Sequence, residues 1–142
     1  MEMNSNNEEE KKMRIHHIGY FVPKIKNALE CFKHLGFHAE SEIIYDNERG
    51  INVIFISNGH SRIELIEKKE GTCKIEFLTK MNYACPYHIC YEVSDITAKV
   101  EQLKERKFIV VKNREKACAI DNREVVFMYS KHGGLIELLS EE

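Results

Sequence analysis

The sequence predicts an α+β fold in which one β-α-β-β-β unit is written twice. Two pairs of segments carry that expectation. His17-Ile18-Gly19-Tyr20-Phe21-Val22 is echoed by His88-Ile89-Cys90-Tyr91-Glu92-Val93, and Arg62-Ile63-Glu64-Leu65-Ile66 by Leu135-Ile136-Glu137-Leu138-Leu139. The histidines stand 71 residues apart (88 − 17) and the glutamates 73 (137 − 64). A near-constant period of this kind marks an internal duplication. The third observation is chemical: two histidines and two carboxylates suffice as ligands for one divalent metal.

The first copy opens on a strand near Ile15 to Val22. Alternation there places Ile18, Tyr20 and Val22 on one face and His17, Gly19 and Phe21 on the other. Pro23 ends the strand at the mouth of a helix, where its fixed φ is tolerated. Ile25, Leu29, Phe32 and Leu35 recur at helical spacing, and Gly36 supplies a C-terminal cap. Strands are expected over His38 to Tyr45, Ile51 to Ser57 and Ser61 to Ile66, joined by turn residues at Asp46 to Gly50 and Asn58-Gly59.

The second copy keeps this order. Tyr87 to Val93 reads as a strand, Ser94 as an N-cap, and Ile96, Val100 and Leu103 as one face of a helix. Phe108 to Val111, Glu124 to Tyr129 and Leu135 to Leu139 complete the unit. The modules run over about 14–66 and 85–140, with a charged linker 67–84 that holds a short helix around Ile75 to Met81. Residues 14–142 make a single domain, and the polar stretch 1–13 is expected to be a disordered tail.

Ile136 and Leu138 turn to the helix layer, so Glu137 turns to the opposite, concave face; Ile63 and Leu65 place Glu64 likewise. Glutamate is a poor strand former and almost never buried without a partner. The same exception occurs twice, beside His17 and His88, and clustered His and Glu point to a metal or catalytic site.

Composition excludes other classes. A net charge of −2 leaves no electrostatic footprint for nucleic acid. No apolar run approaches the roughly 20 residues that span a bilayer, and the N-terminus has no signal-like apolar stretch. Five cysteines without a Cys-x-x-Cys pair suggest neither a disulfide framework nor a thiolate zinc site, so a cytoplasmic location is expected. His16, His34, His38, His60 and His132 read as neighbours or surface residues, and Cys90 as a small apolar wall. Arg114 and Arg123 are weighed as grips for an anionic substrate.

Over about Arg14 to Ser140 these residues resemble the vicinal oxygen chelate superfamily, which includes glyoxalase I and methylmalonyl-CoA epimerase. The resemblance implies paired βαβββ modules forming an incomplete barrel around a metal site, the glyoxalase/bleomycin-resistance-like fold. It takes ligands from the first and last strand of each module, here His17, Glu64, His88 and Glu137. The His-Glu-His-Glu order looks most like bacterial glyoxalase I, which implies nickel or cobalt, with zinc as the other divalent ion.

That likeness implies a glyoxalase I-type lyase, lactoylglutathione lyase-like, isomerising the hemithioacetal of a 2-oxoaldehyde and a thiol to a 2-hydroxyacyl thioester. Glu137 would be the base, with Glu64 its pseudo-symmetric counterpart. The alternative is a methylmalonyl-CoA epimerase-like isomerase acting on an acyl thioester. Against it stand Val53, where the epimerases place a basic glutamate, and Glu64, where they often have glutamine. A metal-free sequestration protein of the same superfamily is the non-enzymatic alternative, and it would lack the ligand set kept here. Extradiol dioxygenase chemistry, with iron on two histidines and one carboxylate, is disfavoured by the second carboxylate. A homodimer is expected by the same resemblance.

Overall fold

The computed structural model describes residues 13–141. The tail expected over 1–13 therefore lies, but for Met13, outside the described residues. Two compact units divide the chain, one of His17–His88 and one of Met1–His16 with Ile89–Glu142. They are called the first and second unit here. The strands are β1 (Arg14–Phe21), β2 (His38–Ala39), β3 (Ile44–Asp46), β4 (Ile51–Ser57), β5 (Arg62–Lys68), β6 (Cys85–Val93), β7 (Ile109–Ala117), β8 (Arg123–Ser130) and β9 (Gly134–Ser140). The helices are α1 (Ile25–Lys33), α2 (Glu76–Thr79) and α3 (Ile96–Lys104), with a 3₁₀ turn at Cys118–Ile120.

The first unit orders its strands β2-β4-β5-β1, with β3 also on β4; the second orders them β6-β9-β8-β7. In each, the last strand runs parallel to the first and antiparallel to the one before it. One face of each sheet is covered by its helix. Ile54, Ile56, Ile63 and Leu65 pack on Ile25 and Ala28 in the first unit. Val126, Met128, Ile136 and Leu138 pack on Ile96, Val100 and Leu103 in the second, where Met13 also packs. Fully buried Leu65 and Leu138 (0% exposed) contribute about 1.5–3 kcal/mol each by leaving water. The α+β class and the β-α-β-β-β order thus follow from the apolar alternation.

Helix ends explain the connections. Gly36, at φ 87°, closes α1: the Phe37 N–H donates to the Phe32 carbonyl and the Gly36 N–H to Lys33, the left-handed capping pattern that favours glycine. At the other end the Ile25 N–H donates to Glu67 of β5, which also accepts from Asn52, so a strand residue caps the helix. The cap of α3 is Asp95, which accepts from the Ala98 N–H, and not Ser94 as expected. Both types suit the position, and a one-residue offset decides which side chain meets the third amide.

Two strands also differ from expectation. His38 to Tyr45 is broken into β2 and β3, because Ala39 pairs with Ile56 and Ile44 with Val53. Four residues (40–43) must then span a gap that two (54–55) span on β4, and the excess loops out. Strand β7 runs on to Ala117, past the expected Val111, carrying Lys112-Asn113-Arg114-Glu115-Lys116 along the outer strand of its unit. Charge at a sheet edge is compatible with strand structure.

Candidate functional site

Three of the four residues singled out in the sequence come together within the first unit. His17 lies on β1, Glu64 on β5, and His88 where β6 begins its course; they are 0%, 7% and 4% exposed. His17 Nε2 and His88 Nε2 are 3.4 Å apart. Glu64 Oε1 is 3.5 Å from the first and 3.8 Å from the second.

Strand pairing explains the convergence. Glu64 pairs with Gly19 across the parallel β1–β5 ladder and with Phe55 across the antiparallel β4–β5 ladder. Paired residues share a face, so Glu64 is turned to the side of the sheet that carries His17, two residues before Gly19. Phe55 meets the His17 ring edge-on at 5.2 Å, and Tyr87 meets the His88 ring at 4.5 Å. Gly19 makes room for His88: a Cβ there would lie 2.0 Å from Cε1 and 2.2 Å from Nδ1 of the ring. The roles of Gly19, Phe55 and Tyr87 were missed in the sequence reading. A glycine inside a strand pattern, the mark of a close approach, was the signal for the first.

These donors suit a divalent cation. Nitrogen and oxygen atoms sharing one ion at about 2.1 Å sit roughly 3.0–3.4 Å apart, depending on geometry. The observed 3.4–3.8 Å is slightly wider, and modest side-chain rotation closes the difference. Two imidazole nitrogens and a carboxylate oxygen, mutually close and buried, form a donor set that nickel, cobalt and zinc all accept.

Glu137 lies in the second unit, 4% exposed, paired with Cys90 on β6 and Phe127 on β8. Its register repeats that of Glu64. Each glutamate stands opposite the residue two places after a histidine, Gly19 after His17 and Cys90 after His88. Cys90 is fully buried.

The remaining residues take structural places. His34, His38, His60 and His132 are exposed, and His16 is half-buried. Arg123 is nearly buried and donates to Glu92 and to the Ser140 carbonyl; Arg114 donates to Thr97 and pairs with Glu124. Glu92 also accepts from Arg14 at 2.7 Å. Burial alone would raise the Glu92 carboxyl, but hydrogen bonds and charge from Arg123 and Arg14 outweigh it and hold it below the usual carboxylate value. No helix among the described residues is long and apolar enough to cross a membrane.

Known proteins similar to the chain correct the expected reaction. Residues 16–127 match the family described as the Glyoxalase/Bleomycin resistance protein/Dioxygenase superfamily. An ethylmalonyl-CoA/methylmalonyl-CoA epimerase of Cereibacter sphaeroides is 34% identical over 130 residues, covering 88% of this chain and 96% of that protein. The mitochondrial methylmalonyl-CoA epimerase of Homo sapiens is 30% identical over 128 residues, covering 88% and 72%. Among solved structures, a hypothetical protein from Bacillus halodurans superposes with a TM-score of 0.78 at 22% identity, covering 92% of this chain and 96% of that one. A Mycobacterium tuberculosis methylmalonyl-CoA epimerase gives 0.74 at 23%, covering 90% and 87%. A Streptomyces coelicolor methylmalonyl-CoA epimerase in complex with 2-nitronate-propionyl-CoA gives 0.72 at 20%, covering 90% and 96%.

The expectation of a glyoxalase I-type, lactoylglutathione lyase-like enzyme is overturned by the Cereibacter sphaeroides and Homo sapiens relatives, which are epimerases. It rested on the His-Glu-His-Glu order of the candidate ligands, with Val53 and Glu64 weighed against an epimerase. Each reaction begins by removing a proton next to a carbonyl whose oxygen is stabilised as negative charge develops, so the ligand order does not separate them. The fold, the register of its two glutamates and the match across residues 16–127 agree: the chain belongs to the glyoxalase/bleomycin resistance protein/dioxygenase superfamily.

Proposed function

We propose that the chain is an acyl-CoA epimerase that inverts C2 of a 2-alkylmalonyl-CoA, methylmalonyl-CoA being the first substrate to test. The observation that carries this reading is the 34% identity to an ethylmalonyl-CoA/methylmalonyl-CoA epimerase across 96% of that protein's length. The cluster of His17, Glu64 and His88 supports it chemically.

In this reading Glu137 joins His17, Glu64 and His88 as the set that holds a divalent ion, with nickel or cobalt preferred and zinc accepted. Bound there, the ion would supply positive charge to offset that of the enolate formed when C2 loses its proton. The chain's own residues do the rest. The two imidazoles serve as neutral donors. Val53, Phe55 and Ile66, buried on the face that carries Glu64, keep water from the reacting carbon. Glu137 holds the proton on one face of C2. A homodimer and a cytoplasmic location accompany this proposal.

The test is direct. Metal-reconstituted protein is given single C2 epimers of methylmalonyl-CoA, and epimer composition is followed by chiral analysis. In parallel it is given methylglyoxal with several thiols. Interconversion of the epimers supports the reading. Its absence, with metal bound stoichiometrically, overturns it.

A further inference from the structure

We infer that Lys112 grips a phosphate of the substrate's coenzyme A, from the same face of the second unit that carries Glu137. This rests on the epimerase reading above and names the part of the thioester that β7 binds. The observation behind it is a bulge. Val110 on β7 pairs with Met128 on β8, and both pack toward α3. One residue along β8, Phe127 pairs with Lys112, which is two residues along β7, so Val111 is left over in the ladder. Strict alternation would put Lys112 on the side of Val110, under the helix. The extra residue turns it over, as bulges do where a strand re-aims a side chain.

Phe127 also pairs with Glu137 on β9, and residues directly opposite one another share a face. Lys112, Phe127 and Glu137 therefore form one row across three neighbouring strands, on the face opposite α3. Strand spacing sets the backbones of Lys112 and Glu137 roughly 10 Å apart. The next row on that face holds Ile109 and Tyr129, a cross-strand pair 62% and 38% exposed. One surface thus leads from a buried carboxylate, past apolar side chains open to solvent, to a cation on the outer strand.

An acyl-CoA matches that surface in order and in charge. The free carboxylate of a 2-alkylmalonyl group is one bond from C2, so it stays with the reacting carbon beside Glu137. The pantetheine arm is uncharged and leads away, and the phosphates lie at its far end. The Lys112 side chain, 48% exposed, stands where that solvated end emerges, and lysine binds phosphate as a point charge. Its partner in the structure is Glu115, at 3.3 Å. An exposed ion pair of this kind holds weakly, so a phosphate displaces it.

A substrate without phosphates separates the two anionic ends. Metal-loaded wild type, Lys112→Met and Lys112→Arg are given single epimers of methylmalonyl-CoA and of methylmalonyl-pantetheine, and turnover is followed by chiral analysis. Lys112→Met keeps the apolar stem and removes the charge. It should raise KM for methylmalonyl-CoA about fivefold or more while kcat stays within about twofold, as for a charge at the rim of a binding surface. KM for methylmalonyl-pantetheine should not move, and Lys112→Arg should restore the wild-type KM for the coenzyme A thioester. An unchanged KM for methylmalonyl-CoA in Lys112→Met overturns the assignment. So does an equal rise for both thioesters, which would put Lys112 on the C2 carboxylate, and so does a fall in kcat without a rise in KM. Wild type that epimerises neither thioester overturns the epimerase reading itself, so the two failures are distinct.

Discussion

A side-chain carbon at Gly19 would stand 2.0 Å from Cε1 of His88, so the bare backbone of β1 forms the seat of the imidazole. Gly19 is paired with Glu64 as well, which places one glycine beside two members of the donor cluster. A methyl group there forces the ring aside, and a branched side chain forces it further. Gly19→Val should weaken divalent metal binding by about tenfold or more, with Gly19→Ala intermediate, as is usual when the groups that orient a ligand are disturbed. Calorimetric titration with cobalt, alongside circular dichroism to verify the fold, measures this. Wild-type affinity in a folded Gly19→Val protein would remove Gly19 from that role.

The duplication was legible because it is written in positions that structure constrains twice over. Ile63, Leu65, Ile136 and Leu138 must face a helix, so Glu64 and Glu137 between them must face away, and period-two patterning exposes that. His17 and His88 were found by their matching places in the repeat. Less legible was whatever depended on pairing between distant segments. The break between Ala39 and Ile44 follows from their partners on β4, and the cap of α1 by Glu67 joins residues 42 apart. The extension of β7 is hidden by charges that an edge strand tolerates. The choice of reaction was misread for a different reason. Val53 and Glu64 were read as marks against an epimerase, but both reactions begin by removing a proton beside a carbonyl, so neither position separates them.

Metal should stabilise the fold as well as serve the reaction. His17, Glu64 and His88 are buried close together, and burying a carboxylate without full compensation is costly. Saturating cobalt or nickel at about 100 times its dissociation constant adds about 2.7 kcal/mol. For a chain of this size that corresponds to a rise in Tm of roughly 5–12 °C. Thermal melts with metal and with chelator should show this shift in wild type, and His17→Ala should abolish it. Identical melts in the two conditions would argue against a site that holds metal.

Glu137→Gln keeps an oxygen donor of the same size and removes the basic site. At matched metal occupancy, epimerisation by this variant should fall by about two orders of magnitude or more. The assay is turnover of single methylmalonyl-CoA epimers at saturating substrate. Turnover equal to wild type would take Glu137 out of proton transfer and leave it at most a ligand.

Glu92 ties the second unit together through charge, and its effect depends on pH in a direction that can be worked out. It accepts from Arg14 and Arg123, and Arg123 also donates to the carbonyl of Ser140 at the end of β9. Burial works against the ionised carboxylate, but the two guanidinium groups outweigh it, so its folded-state pKa lies below the ordinary value. A depressed carboxylate pKa means that the unfolded chain binds the proton first as pH falls. The stabilisation is therefore fully present above the ordinary carboxylate range and is lost as pH drops through the folded-state value. Glu92→Gln should cost on the order of 1–2 kcal/mol at neutral pH, in keeping with a charged hydrogen bond in a nearly buried setting. Urea melts of wild type and variant, taken from pH 7 down to pH 3, should show the two midpoints converging as acid removes the charge from Glu92. A gap that stays constant across that range would mean that the carboxylate's charge is not what joins Arg14 and Arg123 to β6.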